Sequence, residues 1–283
     1  MDSANEPCFW MGGRLATELA EISNDPKDLD KYPNAFWAIT TTFSGEFIGA
    51  RFNRVQEREW PFTYRPLQNL SWISSHNQEQ YCKLVSDIRE EIAAGNVYQV
   101  NACRVLTNES GEEISGLVAG FLKSNPAKYA GYLKLPGIEI ASASPETFLK
   151  RRGEILSTSP IKGTRPIGIE GEFPEKDQSE NIMIVDLMRN DLGKVCVESS
   201  ITTPQLLSIE DLPGLTHLVS EVQGQLRQGV TWSEIFEATL PPGSVSGAPK
   251  SSAIKIIERY EADRKSTRLN SSHSSVSRMP SSA

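Results

Sequence analysis

The chain has 283 residues and carries 36 acidic against 29 basic side chains, a formal charge of −7. That balance speaks against a nucleic-acid or anionic-membrane surface, which clustered Lys and Arg usually build, and the length permits one large domain or two ordinary ones. Cys8, Cys82, Cys103 and Cys196 are scattered without a CxxC pair, as befits free thiols in a reducing compartment. No apolar run reaches the roughly 18 to 20 residues of a bilayer span, and MDSANEPCFW lacks the pattern of a signal peptide. A soluble, cytoplasmic protein is expected, with no membrane and no nucleic acid as partner.

Taken in chain order, AFWAITTTF, a turn at Gly45 and EFIGARF read as a β-hairpin in an aromatic-rich region that runs to about residue 76. From Asn77 the pattern turns helical, with Tyr81, Leu84, Val85, Ile88 and Ile92 on one face and Gly95 as a C-cap. VYQVNACRVL follows as a strand candidate. A second helix carries Ile114, Leu117, Val118, Phe121 and Leu122, and Asn125-Pro126 stops it. YAGYLKL, IEIASAS and FLKRRGEILSTSP read as consecutive strands joined by tight turns, the last at Arg152-Gly153. SENIMIVDLMRNDL is apolar on nearly every side, as in a helix buried between layers, and another helix begins after Pro249. Strand runs mixed with long helices, without a βαβ rhythm, give an α+β class.

Four segments concentrate polar residues in apolar surroundings: ASASPETF, SPIKGTRP, EKDQSENIMIVDLMRNDLGKV and LPPGSVSGAPK. Together they suggest one polar cleft. Glu146 is either a carboxylate accepting turn N–H groups or a general acid. Lys162 alone is a surface charge; in a dry cleft, desolvation makes it a neutral, nucleophilic amine. Asp177 and Glu180, three apart at a helix start, either answer the helix dipole or begin a Mg2+ site, since that ion takes few carboxylates plus water and substrate oxygens. Asp186, Arg189, Asn190 and Asp191 read as a structural polar network, and His217 as a core histidine or an active-site one. GSVSGAPKS sets glycines ahead of a helix, where backbone N–H groups meet anions. The GxxxxGK[ST] spacing of an ATPase loop is absent.

In this order AGNVYQVNACR, SASPETF, SPIKGTRP, SENIMIVDLMRNDLGKV, LTHLVSEV and PPGSVSGAPKSSAIKIIE resemble the chorismate-utilising enzymes, over roughly residues 78–261. The resemblance implies two antiparallel sheets in a sandwich with outer helices, incomplete at the C-terminus, and an active site between the sheets. Anthranilate synthases of the family typically have PIAGT where aminodeoxychorismate synthases have PIKGT, and here Lys162 fills that position. The resemblance then implies attack by Lys162 on C2 of chorismate with loss of the C4 hydroxyl, protonated by Glu146, and displacement of the lysine by ammonia at C4. It further implies Mg2+ at Glu180 with Asp177 nearby, His217 in the active site, and substrate contacts from Thr164, Gly163, Gln99 and Gly247. Gln99 stands where isochorismate and salicylate synthases carry a basic lysine. Ammonia would come from a glutamine amidotransferase subunit, because this chain has no Cys-His arrangement for glutamine hydrolysis. Anthranilate synthesis and a non-catalytic chorismate or tryptophan binding module are the alternatives. Asn125-Pro126 with Tyr129 matches only part of a tryptophan-binding segment.

Departures from the family are expected to matter. Relatives continue past the position of Glu261 and supply there a second magnesium carboxylate, a glycine-rich loop and an arginine, so the 283-residue polypeptide by itself is expected to be inactive and poorly stable. Three regions are expected: a partial N-terminal β-rich region over 1–76, a truncated catalytic core over 77–262, and a Ser-rich tail over 263–283. STRLNSSH in that tail resembles a translated sequencing adapter, which reads as an artefact; a disordered native tail is the alternative.

Overall fold

The structure, a computed structural model, describes residues 6–68, 71–109, 113–124, 127–212 and 214–261. The Asn125-Pro126 stop, the Phe121 side chain and the Ser-rich tail lie outside the described residues. Strands β1 (Cys8–Met11) and β2 (Arg14–Ser23), the short helix α1 (Asp28–Lys31), and strands β3 (Phe36–Thr41) and β4 (Phe47–Glu57) open the chain. β3 and β4 form the expected hairpin, closed by the Thr42 N–H donating to the Glu46 carbonyl at 2.9 Å. After β5 (Ile73–Ser74) comes α2 (Gln78–Ala93). Asn77 and Gln80 cap it reciprocally, side chain to backbone, at 2.8 and 2.9 Å, which satisfies two N–H groups that the first turn leaves free.

β6 (Gln99–Val100), β7 (Leu106–Thr107), α3 (Ser115–Ser124), β8 (Tyr129–Leu135) and β9 (Ile138–Ser144) follow. The long strand expected over VYQVNACRVL is not formed: within it Gln99–Val100 and, at its end, Leu106 of β7 lie in strands, each in a two-stranded ribbon. Alternation alone does not make a strand when no edge runs alongside. β8 and β9 do form a full-length hairpin from Tyr129↔Ser144 to Leu135↔Ile138, and β1 pairs along β8. One antiparallel sheet results, ordered β3-β4-β2-β1-β8-β9, with strands from both sides of residue 76. Ala16, Ala38, Phe52 and Leu133 form one of its cores, and Trp10, Leu15, Val118 and Tyr132 another.

The second sheet is built from β10 (Thr147–Arg152), β11 (Ile155–Ser159), β12 (Ile161–Pro166), β13 (Thr202–Leu212) and β14 (Leu215–Gln225). β14 is central, pairing antiparallel with β11, β12 and β13. Between β12 and β13 runs α4 (Glu175–Gly193), and after β14 come α5 (Trp232–Thr239), α6 (Gly243–Ser246), β15 (Gly247–Ala248) and α7 (Lys250–Tyr260). α4 starts four residues earlier than its apolar run and buries one stripe rather than every side: Ile184, Val185, Met188 and Leu192 pack on Leu156 and Val222, while Ile182 is exposed. α7 lies against α2 through Ala253, Ile256, Leu84 and Ile88.

Candidate functional site

Ser144-Pro145-Glu146 joins the two sheets, between the end of β9 and the start of β10. The Glu146 N–H donates to Ser144 Oγ at 3.2 Å, which sets the turn. Glu146 Oε2 accepts the Ile161 N–H at 3.3 Å, and Ser244 lies near enough to favour the ionised carboxyl. Burial pushes this carboxyl above the ordinary carboxylate range, against the opposing pull of Ser244, Ile161 and Lys162.

Lys162 lies on β12. Burial pulls its amine below the usual lysine value, opposed by the charges of Glu146 and Glu180. The acid and the amine are therefore shifted towards each other, the first favouring its proton and the second releasing it. Gly163 beside it has φ +86°, and a Cβ there would sit 3.0 Å from Phe173 Cδ1 and 3.1 Å from Asp177 Cβ. Glycine thus lets the strand pass tightly against the first turn of α4.

That turn presents Asp177 beside Gly163, and the next turn places Glu180 within the field of Lys162. Glu180 is partly exposed, and its recorded ion pair is a long 3.8 Å contact to Lys176, so its oxygens are not committed to the protein. Among the described residues no three His, Cys, Asp or Glu side chains gather as a complete metal cage. Asp177 and Glu180 offer hard carboxylate oxygens of the kind that Mg2+ takes alongside water and substrate oxygens.

His217 is buried on β14 and shares a 2.8 Å hydrogen bond through Nδ1 with Thr164 Oγ1, directly across the sheet on β12. Burial lowers its pKa, with Glu210 on β13 acting in the opposite sense. Gln99 and Gly247 meet in the ribbon of β6 and β15. Gly247 has φ +140° and its Cβ position lies 2.1 Å from the Gln99 carbonyl oxygen, so only glycine fits there. The Gln99 side-chain Oε1 is buried without a hydrogen bond among the described residues. A buried acceptor without a donor invites an O–H or N–H from a ligand.

The network read over 186–191 reduces to Asp191. This carboxylate, 2% exposed, holds Lys250 and Lys194, whereas Asp186 and Asn190 are exposed and Arg189, among the described residues, donates to Thr203 at 3.4 Å. Sequence reasoning missed Lys250, which packs the start of α7 onto the end of α4. It also missed Ser244 and Asn101, although both lie in segments that it singled out.

Comparison with known proteins adds independent findings. The sequence profile of the chorismate binding enzymes matches residues 50–266. Aminodeoxychorismate synthase component 1 of Escherichia coli K12 is 36% identical over 205 residues, 69% of this chain and 45% of that protein. Anthranilate synthase component 1 of Saccharolobus solfataricus is 36% identical over 197 residues, 66% of this chain and 47% of that protein. The chain thus spans about half the length of these relatives. The structure of MenF, the menaquinone-specific isochorismate synthase of Escherichia coli, superposes with a TM-score of 0.73 over 91% of this chain and 74% of that one, at 16% identity. That likeness shows the fold.

Proposed function

The chain belongs to the chorismate-binding enzyme family, and from that premise we propose that it is the catalytic component of an aminodeoxychorismate synthase, which converts chorismate and ammonia to 4-amino-4-deoxychorismate for para-aminobenzoate and folate synthesis. The observation that carries the reading is the buried lysine amine of Lys162, depressed by burial within reach of a Glu146 carboxyl that burial has raised. A lowered amine pKa raises the neutral, nucleophilic fraction, and a raised carboxyl pKa favours the proton that an acid gives.

The chemistry runs in two mirrored displacements. The Lys162 amine adds at C2 of chorismate, both conjugated ring double bonds shift, and the C4–O bond breaks as Glu146 gives its proton to the departing hydroxyl, which leaves as water. The Glu146 carboxylate then takes up a proton from the new secondary ammonium. Ammonia adds at C4, both double bonds shift back, the Lys162 amine departs with the proton that Glu146 returns, and the new C4 ammonium gives a proton back to the Glu146 carboxylate. The orphaned Gln99 Oε1 accepts an N–H or O–H of a reactant, and Thr164, Gly163 and Gly247 line the substrate. His217 stands behind Thr164 and holds its hydroxyl. Glu180 and Asp177 would hold Mg2+, which when bound neutralises the ring carboxylate of the substrate. Ammonia is supplied by a glutamine amidotransferase subunit in this reading.

Product identification tests it, with the full-length gene product supplied with chorismate, Mg2+ and ammonium. The reading expects 4-amino-4-deoxychorismate and a lysine-chorismate adduct by mass spectrometry that Lys162→Ala abolishes. Formation of anthranilate instead, or an adduct undiminished in Lys162→Ala, would overturn it.

A further inference from the structure

Asn181, the residue after Glu180 on α4, is fully buried. Asparagine forms helices less readily than alanine or leucine, and a buried side-chain amide costs stability unless its hydrogen bonds are met. Here β14 meets them. Asn181 Nδ2 donates to the Leu218 carbonyl at 3.0 Å, and Asn181 Oδ1 accepts the hydroxyl of Ser220, also fully buried, at 2.5 Å. Ser220 Oγ accepts in turn the Leu207 N–H of β13 at 2.9 Å.

These bonds fall where the ladders on both sides of β14 are irregular. The register of β12 steps from Ile161↔Val219 to Thr164↔His217 and passes over Leu218; Lys162 and Gly163 lie inside that irregularity. The register of β13 steps from Gln205↔Glu221 to Ser208↔Val219 and passes over Ser220, and Leu207 within it has φ +55°. The Asn181–Ser220 pair thus bonds the backbone at both interruptions and ties them to α4.

We propose that Asn181, locked by Ser220, is a positioning residue for Glu180: it fixes the rotation and register of α4 on β14 and so aims the neighbouring carboxylate at the cleft. The apolar packing of Ile184, Val185 and Met188 on Leu156 and Val222 holds the helix down, but apolar attraction has no direction, and Pro174 at the N-cap makes no side-chain hydrogen bond. Hydrogen bonds from a side-chain amide are directional. The role rests on the reading of Glu180 as a Mg2+ ligand; the hydrogen bonds themselves do not.

The test reads metal binding rather than turnover, in the full-length gene product, with Mg2+ alone titrated by calorimetry. Glu180→Gln should weaken binding most. Asn181→Ala should raise the dissociation constant about tenfold, the scale of losing a group that orients a metal ligand, and Ser220→Ala, the milder change, should raise it less. Ile184→Val trims the same helix without touching these bonds, so it should lower the melting temperature and leave the constant unchanged. If Asn181→Ala does not fold, Ser220→Ala decides. Where Glu180→Gln weakens binding, an unchanged constant in these two variants, or an equal rise in Ile184→Val, overturns the positioning role alone. Undiminished binding in Glu180→Gln, or none in the parent, overturns the Mg2+ reading and the positioning role with it.

Discussion

His217 shows how far one buried side chain sets the pH response of the molecule. Burial holds its pKa below the ordinary value, so the unfolded chain binds that proton more readily than the folded one. Its contribution to stability is therefore complete above the ordinary imidazole value of about 6.5 and is lost as pH falls through the depressed folded value. His217→Gln keeps a partner for Thr164 and removes the titration. Its melting temperature, compared with the parent from about pH 7 to about pH 5, should fall less steeply; parallel curves would show that the imidazole is not the titrating group. At this scale the polar segments were legible, because Glu146, Lys162 and Glu180 are conspicuous in apolar surroundings. Ser244 and Asn101 were not, since serine and asparagine in a loop are common and only the folded chain brings the two together.

The joint between α4 and α7 depends on a buried ion pair. Asp191 is 2% exposed and Lys250 13%, and Lys250 also donates to the Thr239 carbonyl at 3.2 Å. Removing only the acid strands a cation in the interior, so Asp191→Asn should lower the unfolding free energy by about 3–5 kcal/mol in urea titrations. Asp191→Leu combined with Lys250→Met should recover much of that loss. A loss below about 1 kcal/mol in Asp191→Asn would mean that water reaches the pair. The elements themselves were mostly readable from local pattern. Hairpins with a glycine turn and a capped amphipathic helix carry their own instructions, as in β8–β9 and α2. VYQVNACRVL was misread because its residues serve three different surroundings: Val97 is 1% exposed in the helix cluster, Gln99–Val100 pair with β15, and Leu106 is 49% exposed.

Among the described residues, several contacts join the two layers. Phe47 of the first sheet packs on Phe236 of α5 with ring centroids 5.7 Å apart, the Trp232 N–H donates to Asp30 at 3.0 Å, and Lys128 pairs with Glu210 at 2.6 Å. Phe47 is 8% exposed, so Phe47→Ala should cost about 3–5 kcal/mol. The ion pair, with side chains 46% and 39% exposed, is solvated, and Glu210→Gln should cost less than about 1 kcal/mol in the same urea titrations. The reverse ranking would place the joint in electrostatics rather than in apolar packing. The sequence by itself determined the α+β class, most hairpins and helices, and the family, because those follow from short-range periodicity, turn chemistry and ordered motifs. Only the tertiary structure decided which strands share a sheet, that β14 lies at the centre of the second one, and that Glu146, Lys162 and Ser244 converge. Those outcomes depend on which edges and apolar stripes find one another across long loops, and desolvation, the cause of the Glu146 and Lys162 shifts, exists only once the chain has closed around them.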